Sequence, residues 1–198
     1  TSRSINIRHS YVSLANDMGT LTIGHTSTVD DGSTASDLSG SGTAGSYIDS
    51  TIDGEVMRVS GNSGTASSGI TVGSILPNYE GGRSSNIKYQ SPNMGGFQAS
   101  LGYSDSEHGA ASLKYSADYD GTKVAATAAW GSRGAAANDA EYGGSIAISL
   151  ASGLNGSLAY SQRDLNGSVA ANAGLNDPEM FGAAIGYTMG NSGVSIFY

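Results

Sequence analysis

The stretch "GGRSSNIKYQSPNMGGFQASLGYSD", residues 81–105, contains two short alternating runs joined by a turn. The runs cover residues 86–90 and 97–103, and residues 91–96 lie between them. In each run the large apolar residues occupy every second position, and Asn, Lys, Gln, Ser and Gly occupy the positions between them; we call each set of alternate positions a parity. This period of two predicts a β-hairpin whose two faces differ in polarity. It leaves open whether the apolar face packs into a protein core or contacts lipid.

The composition of the 198-residue chain narrows the classes of protein to which it belongs. There is no Cys, and the net charge of -8 argues against a nucleic-acid partner, because phosphate binding needs a Lys/Arg-rich surface. Most of the 11 Tyr lie inside alternating runs, which is not typical of a disordered chain. No apolar run reaches about 18 residues, so the sequence predicts no transmembrane helix.

Alternating runs recur along the chain and helical periodicity is almost absent, so we predict an all-β fold. The connectors between runs alternate between short and long, as they do in transmembrane β-barrels. The stretch 27–82 stands apart because it holds no convincing strand series, and loops of that length are usually functional or disordered. About ten strands are predicted, at residues 4–14, 19–26, 84–91, 97–104, 110–119, 122–130, 141–151, 154–163, 180–189 and 192–198.

The distribution of side chains between the two parities favours a lipid-facing apolar surface. In a soluble sandwich the inward parity is crowded with large aliphatic residues. Here the parity opposite the apolar one is built of small or hydrophilic residues, such as Ser145, Ala147 and Ser149. Tyr and Trp close many of the apolar runs, which matches the interfacial aromatic girdle of a membrane barrel. The lipid-facing residues predicted on this basis include Leu101, Ile146, Ile148 and Ile185.

Two segments resemble general bacterial (Gram-negative) outer-membrane porins. "RHSYVSLANDMGTLTIGHTS", residues 8–27, resembles the paired strands that lead into the porin constriction loop. Residues 81–104 resemble the strands that follow this loop. The features that carry the second likeness are an Arg, a strand ending in Tyr, the turn Ser-Pro-Asn, then Gly-Gly-Phe and a strand ending in Gly-Tyr.

The resemblance implies a trimeric, transmembrane antiparallel β-barrel of about sixteen strands with a long inward-folded constriction loop, here residues 27–82. Residues 1–198 are then expected to form a single partial barrel domain containing strands four to thirteen or thereabouts. In the alternative, the strand ending at Tyr198 closes a ten-stranded barrel, since bacterial barrels have even strand numbers. The implied function is passive diffusion of small hydrophilic solutes and ions across the outer membrane of a Gram-negative bacterium, without enzymatic activity.

The resemblance also indicates which residues shape the pore. Arg8 and Arg83 match the basic wall of the family by position. Both fall on the polar parity of their strands or just before it, Arg8 together with Asn6 and Ser10, so both can point into the lumen. Lys88 shares the polar parity of its strand. We expect the acidic loop to face this wall, which creates a transverse field and favours cations overall. The acidic residues predicted at the constriction, within "SYIDSTIDGEVMRV", are Asp49, Asp53 and Glu55.

No metal or cofactor is predicted from the remaining motifs. "VDDGS" (29–33) and "IDGEV" (52–56) are rich in oxygen ligands, which keeps Ca²⁺ as an alternative, but neither has the spacing of an EF-hand loop. The alternative function class is a structural or adhesive surface β protein, such as a surface-layer or filament subunit, which the abundant Gly and Ser and the acidic charge would suit. The lack of a fixed-period repeat argues against it.

Overall fold

The computed structural model describes residues 7–38, 56–58, 67–71, 80–105, 109–133, 138–167 and 177–197. Ten antiparallel strands form one sheet, and two further short strands, β3 and β4, pair separately. The sheet strands are β1 (Ser10–Asn16), β2 (Gly19–Ser27), β5 (Arg83–Gln90), β6 (Phe97–Ser104), β7 (Ala110–Tyr119), β8 (Thr122–Ser132), β9 (Asn138–Ser149), β10 (Leu154–Leu165), β11 (Glu179–Met189) and β12 (Ser192–Phe197). The separate pair is β3 (Val56–Arg58) and β4 (Ser67–Thr71).

The sheet is an open meander in which each strand pairs with the next sheet strand along the chain. Tight turns join β1 to β2, β5 to β6, β7 to β8, β9 to β10 and β11 to β12, so these turns all lie at one end of the sheet. The longer connectors lie at the opposite end. Each of the ten predicted strands overlaps an observed one, and the all-β prediction is confirmed. The β3–β4 pair inside the 27–82 stretch was not predicted.

The turn between β7 and β8 shows how the sequence specifies a tight connection. Asp120 and Gly121 both have positive φ, at 52° and 87°, which is the backbone of a two-residue hairpin turn. The Asp118 carboxylate accepts a hydrogen bond from the Gly121 N–H at 2.9 Å. Asp and Gly tolerate this conformation better than other residues.

The two faces of the sheet are inverted relative to a soluble β protein. One face, called here the outer face, exposes large apolar side chains. The other, the inner face, carries small and polar side chains, many of which are buried. Outer-face residues include Ile23, Ile87, Leu101, Leu113, Ile146, Ile148, Leu158 and Ile185. Buried inner-face residues include Thr22, Asn86, Ser100, Ser112, Ser145, Ala147, Ser157, Ala159 and Ser161.

Aromatic residues border the apolar outer face at both ends of the strands. Near the tight turns they are Tyr89, Phe97, Tyr119 and Tyr187, and near the longer connectors Tyr103, Trp130, Tyr160 and Phe181. The Tyr89 hydroxyl donates to the backbone carbonyl of Met18, and the Phe97 and Tyr115 ring centroids lie 4.5 Å apart. Two aromatic bands around an aliphatic one are typical of a sheet that crosses a membrane.

No helix in the described part of the chain is long and apolar enough to cross a membrane.

Candidate functional site

Residues 28–38 leave the end of β2 and lie across the inner face; they are called here the inward segment. The Ser145 hydroxyl, on β9, donates to the carbonyl of Ser33 at 2.7 Å and accepts from the Ser36 N–H at 3.0 Å. The Ser36 hydroxyl lies 3.5 Å from that of Thr127, on β8. These hydrogen bonds tie the segment to strands far away in sequence.

A row of small residues makes room for the start of the inward segment. Gly102, Ala110 and Gly131 are register partners on β6, β7 and β8. A Cβ added at Gly102 would lie 3.0 Å from Cγ1 of Val29, and one added at Gly131 would lie 2.6 Å from Oδ2 of Asp30. The chain therefore approaches the sheet closely only because larger side chains are missing from this row.

A carboxylate holds the inward segment to the end of the long connector. Oε2 of Glu80 accepts hydrogen bonds from the Thr34 N–H and hydroxyl, both at 3.0 Å, and from the Ser33 hydroxyl at 3.3 Å. The Thr28 N–H donates to the carbonyl of Gly82 at 2.8 Å. The two ends of the connector are thus joined directly above the sheet, which fixes where the segment enters.

Four charged groups of alternating sign run from the inward segment into the sheet. The Arg133 guanidinium lies 3.4 Å from Asp30 and also pairs with Glu141. Nε of Arg163 donates to Oε1 of Glu141 at 2.5 Å. The side chains of Asp30, Glu141 and Arg133 are only 3%, 4% and 10% exposed. We call these four residues the inner-face ion network.

The strand register brings the network together. Gly131 of β8 is opposite Glu141 of β9, and Glu141 is opposite Arg163 of β10. The sequence analysis did not single out Glu141 or Arg163, although the parity of each in its strand indicated the inner face. Glu141 shares its parity with Ser145 and Ala147, and Arg163 shares its parity with Ser157, Ala159 and Ser161. A charged residue that shares its alternate strand positions with small residues is therefore a candidate for the inner face.

Lys88 lies on the inner face, as predicted from its parity. Its ammonium donates a hydrogen bond to the carbonyl of Ser27 at 2.7 Å. The charges of Lys114, on β7, and Asp31, in the inward segment, act on it. Lys88 is also the register partner of Gly102, so it stands beside the row of small residues on which the segment lies.

The predicted orientation of Arg83 is wrong. Arg83 is exposed at the start of β5, where the buried, inner-face positions are Ser84 and Asn86. Its parity is that of Ile87 and Tyr89, which belong to the outer face. The physical reason is the strict alternation of a β-strand, in which neighbouring residues point to opposite faces.

The parity predicted around Arg8 is also wrong within β1. Arg8 precedes this strand and is exposed. Val12 pairs with Ile23, and Ser13 pairs with Thr22, so the even positions of β1 lie on the outer face. The prediction had placed the polar face on the even positions. The pairing register with β2 decides the face, and a shift of one residue reverses it.

The three acidic residues predicted at the constriction, Asp49, Asp53 and Glu55, lie outside the described residues. Among the described acidic residues of the same connector, Asp30 pairs with Arg133 and Glu80 accepts hydrogen bonds from the inward segment. Within the described ranges, no group of three or more His, Cys, Asp or Glu is arranged to hold a metal ion.

The arrangement suits the passage of polar species more than chemistry on them. Hydroxyl, amide and charged groups cover the inner face, and a chain segment held by hydrogen bonds and ion pairs lies across it.

Comparison with known proteins agrees with this geometry. A family model described as "Gram-negative porin" matches residues 1–198. No match was found among curated proteins.

Proposed function

Because the chain belongs to the Gram-negative porin family and so to the outer membrane of a Gram-negative bacterium, we propose that it forms a passive diffusion channel. The solutes are small and hydrophilic, ions included, and the inward segment is part of the constriction. The family is one of channels rather than enzymes. The match and the exposed apolar outer face both favour a channel over a surface-layer or filament subunit.

The observation that carries the proposal is the inward segment lying on a polar inner face while the opposite face is apolar. Antiparallel pairing satisfies the backbone groups that lipid leaves without hydrogen-bond partners. Outer-face aliphatic residues contact lipid, and inner-face hydroxyls and amides hydrate the path. Solutes then move down their gradients without any energy input.

The charges suggest how the channel selects ions. Lys88 and Lys114 stand on the sheet side of the narrow region, and Asp31 belongs to the inward segment. Within the ion network, Asp30 and Glu141 together offset Arg133 and Arg163. With a chain net charge of -8, we expect an acidic lumen and a preference for cations.

Channel recordings test the proposal. The intact protein, purified from outer membranes, should give stepwise, ohmic conductance in a planar lipid bilayer, and a salt gradient should give a reversal potential of the sign expected for cation preference. The double substitution Asp49→Asn/Asp53→Asn should reduce that preference, since two negative charges are removed from the proposed constriction. Absence of conductance would contradict the channel, whereas an unchanged reversal potential would contradict only the role of these two residues.

A second prediction concerns the place where the inward segment meets the sheet. Gly131→Val adds a branched side chain whose Cβ would lie 2.6 Å from Oδ2 of Asp30. The segment should shift off β8, at a cost of about 1–3 kcal/mol from overpacking, and single-channel conductance should rise.

Ala125→Val is the matched control for this experiment. It adds a branched side chain on the same strand and face, closer to the tight turns. Conductance should stay near the wild-type value in the control. Equal conductance in Gly131→Val and wild type would show that the segment does not narrow the lumen.

A further inference from the structure

The apolar outer face is not uniform, because two adjoining grooves run across β9 to β12. The larger, of about 480 Å³, is lined mainly by Ile146, Ile148, Leu150, Leu158 and Gly156. The smaller, of about 240 Å³, includes Tyr187, Val194 and Ile196. Leu154 and Ile185 line both, so the grooves adjoin along these two side chains.

A single glycine accounts for the larger groove. Gly156 is the register partner of Ile148 on one side and of Ile185 on the other. It occupies an outer-face position of β10 between Leu154 and Leu158. Branched aliphatic side chains therefore surround a position that has no side chain, and the gap lies in the part of the molecule that faces lipid.

We propose that the two grooves hold the two acyl chains of one phospholipid molecule. The described lining residues of both grooves include no charged side chain, which fits a hydrocarbon occupant. The grooves are continuous with the apolar surface that an outer-membrane protein presents to lipid. An unpaired strand or loop of another protein would bring backbone groups without hydrogen-bond partners into this apolar space, whereas an acyl chain brings none.

A lipid bound at this site is stabilised by van der Waals contact with the protein. Lipid tails are as apolar as leucine side chains, so no hydrophobic driving force favours one surface position over another. A chain lying in a groove meets more protein atoms than one on a flat surface, and each added contact contributes dispersion energy. Two adjoining grooves match the paired tails of a diacyl lipid.

The position of the grooves along the strands indicates which membrane leaflet supplies the lipid. Leu150 and Leu154 flank the tight turn between β9 and β10, and Tyr187 lies near the turn between β11 and β12. Tight turns of porin-type barrels face the periplasm. The lipid therefore comes from the periplasmic leaflet, and the Tyr187 ring, apolar with a polar tip, lies toward the headgroup level.

The experiment measures how strongly a labelled lipid is held. The intact protein is reconstituted in phosphatidylcholine vesicles with a little phosphatidylethanolamine spin-labelled on an acyl chain, and electron paramagnetic resonance gives the motionally restricted fraction. Gly156→Leu fills the larger groove without backbone strain, because a Cβ there would lie 3.4 Å from the Ala184 carbonyl oxygen. Ala128→Leu, on the outer face of β8, adds comparable bulk away from the grooves and is the control.

The restricted fraction should fall in Gly156→Leu and stay at the wild-type level in Ala128→Leu. Leu154→Ala, which removes the side chain shared by both grooves, should also lower it. A wild-type restricted fraction in Gly156→Leu overturns the site. Dissociation of the oligomer in that variant also overturns it, because a second copy would then have occupied the groove. Displacement of the label by lipopolysaccharide alone overturns it as well.

The inference rests on the outer-membrane location and not on solute passage. Gly156 is on the outer face, so single-channel conductance in Gly156→Leu should equal that of the wild type. Conductance recorded on the same preparations therefore separates failure of the lipid site from failure of the proposed channel.

Discussion

Ile146→Arg is expected to destabilise the folded, membrane-inserted protein by about 2–4 kcal/mol. The outer-face positions run from Leu150, just after β9 at the tight turn, to Tyr142, the register partner of Trp130, and Ile146 is midway between them. Its register partners are Ala126 and Leu158, which offer no carboxylate. A guanidinium at that depth has neither water nor an ion-pair partner, so folding in a bilayer should suffer.

Folding yield in phosphatidylcholine vesicles, followed by a urea titration, measures this loss. Ser116→Arg is the control, because Ser116 is exposed on the inner face and its new charge would remain hydrated. On a denaturing gel run without boiling, the folded wild type should migrate as a compact band, and a band of three-chain mass would support the proposed trimer. Equal yields for Ile146→Arg and wild type would mean that the apolar face does not contact lipid.

Glu141→Gln should weaken the inner face, with a loss of about 1.5–3 kcal/mol from the weakened hydrogen bonds to charged groups. The Glu141 carboxylate pairs with both Arg133 and Arg163, and its side chain is only 4% exposed. Without it, the largely buried Arg133 keeps Asp30 as its carboxylate partner in the network, at 3.4 Å. The inward segment should then be held less firmly, and the lumen should carry one more net positive charge.

Unfolding midpoints and reversal potentials test the two consequences separately. Asp118→Asn is the matched acid-to-amide control, since Asp118 is an exposed inner-face residue near the tight turns and its Asn replacement keeps an acceptor for the Gly121 N–H. In Glu141→Gln the midpoint should fall and cation preference should weaken. In the double variant with Arg133→Met, the stability loss should be smaller than the sum of the two single losses. Strict additivity would count against a coupled network.

The sequence predicted the secondary structure well because strand periodicity is a local property. Leu101, Ile146, Ile148 and Ile185 all lie on the exposed apolar face, as the alternation of their strands predicts. The sequence predicted the site less well. Lys88 was placed on the correct face from its parity, whereas Arg83 was assigned by its position in a family motif, and the strict alternation of β5 contradicts that orientation.

The sequence by itself determined the number of strands in the main sheet, the face of most residues and the long and short connectors, since each depends on a few neighbouring residues. Only the tertiary structure decided which charges meet. Asp30, Arg133, Glu141 and Arg163 come from four separate parts of the chain. Strand register aligns Glu141 with Arg163, and Arg133 and Asp30 reach them from just beyond β8 and β2. Strand register also determines where the inward segment lies. The row of small residues beneath it contains one residue from each of β6, β7 and β8. Period-two patterns divide the residues of a strand between two faces, whereas register between strands decides which set faces inward and which residues become neighbours.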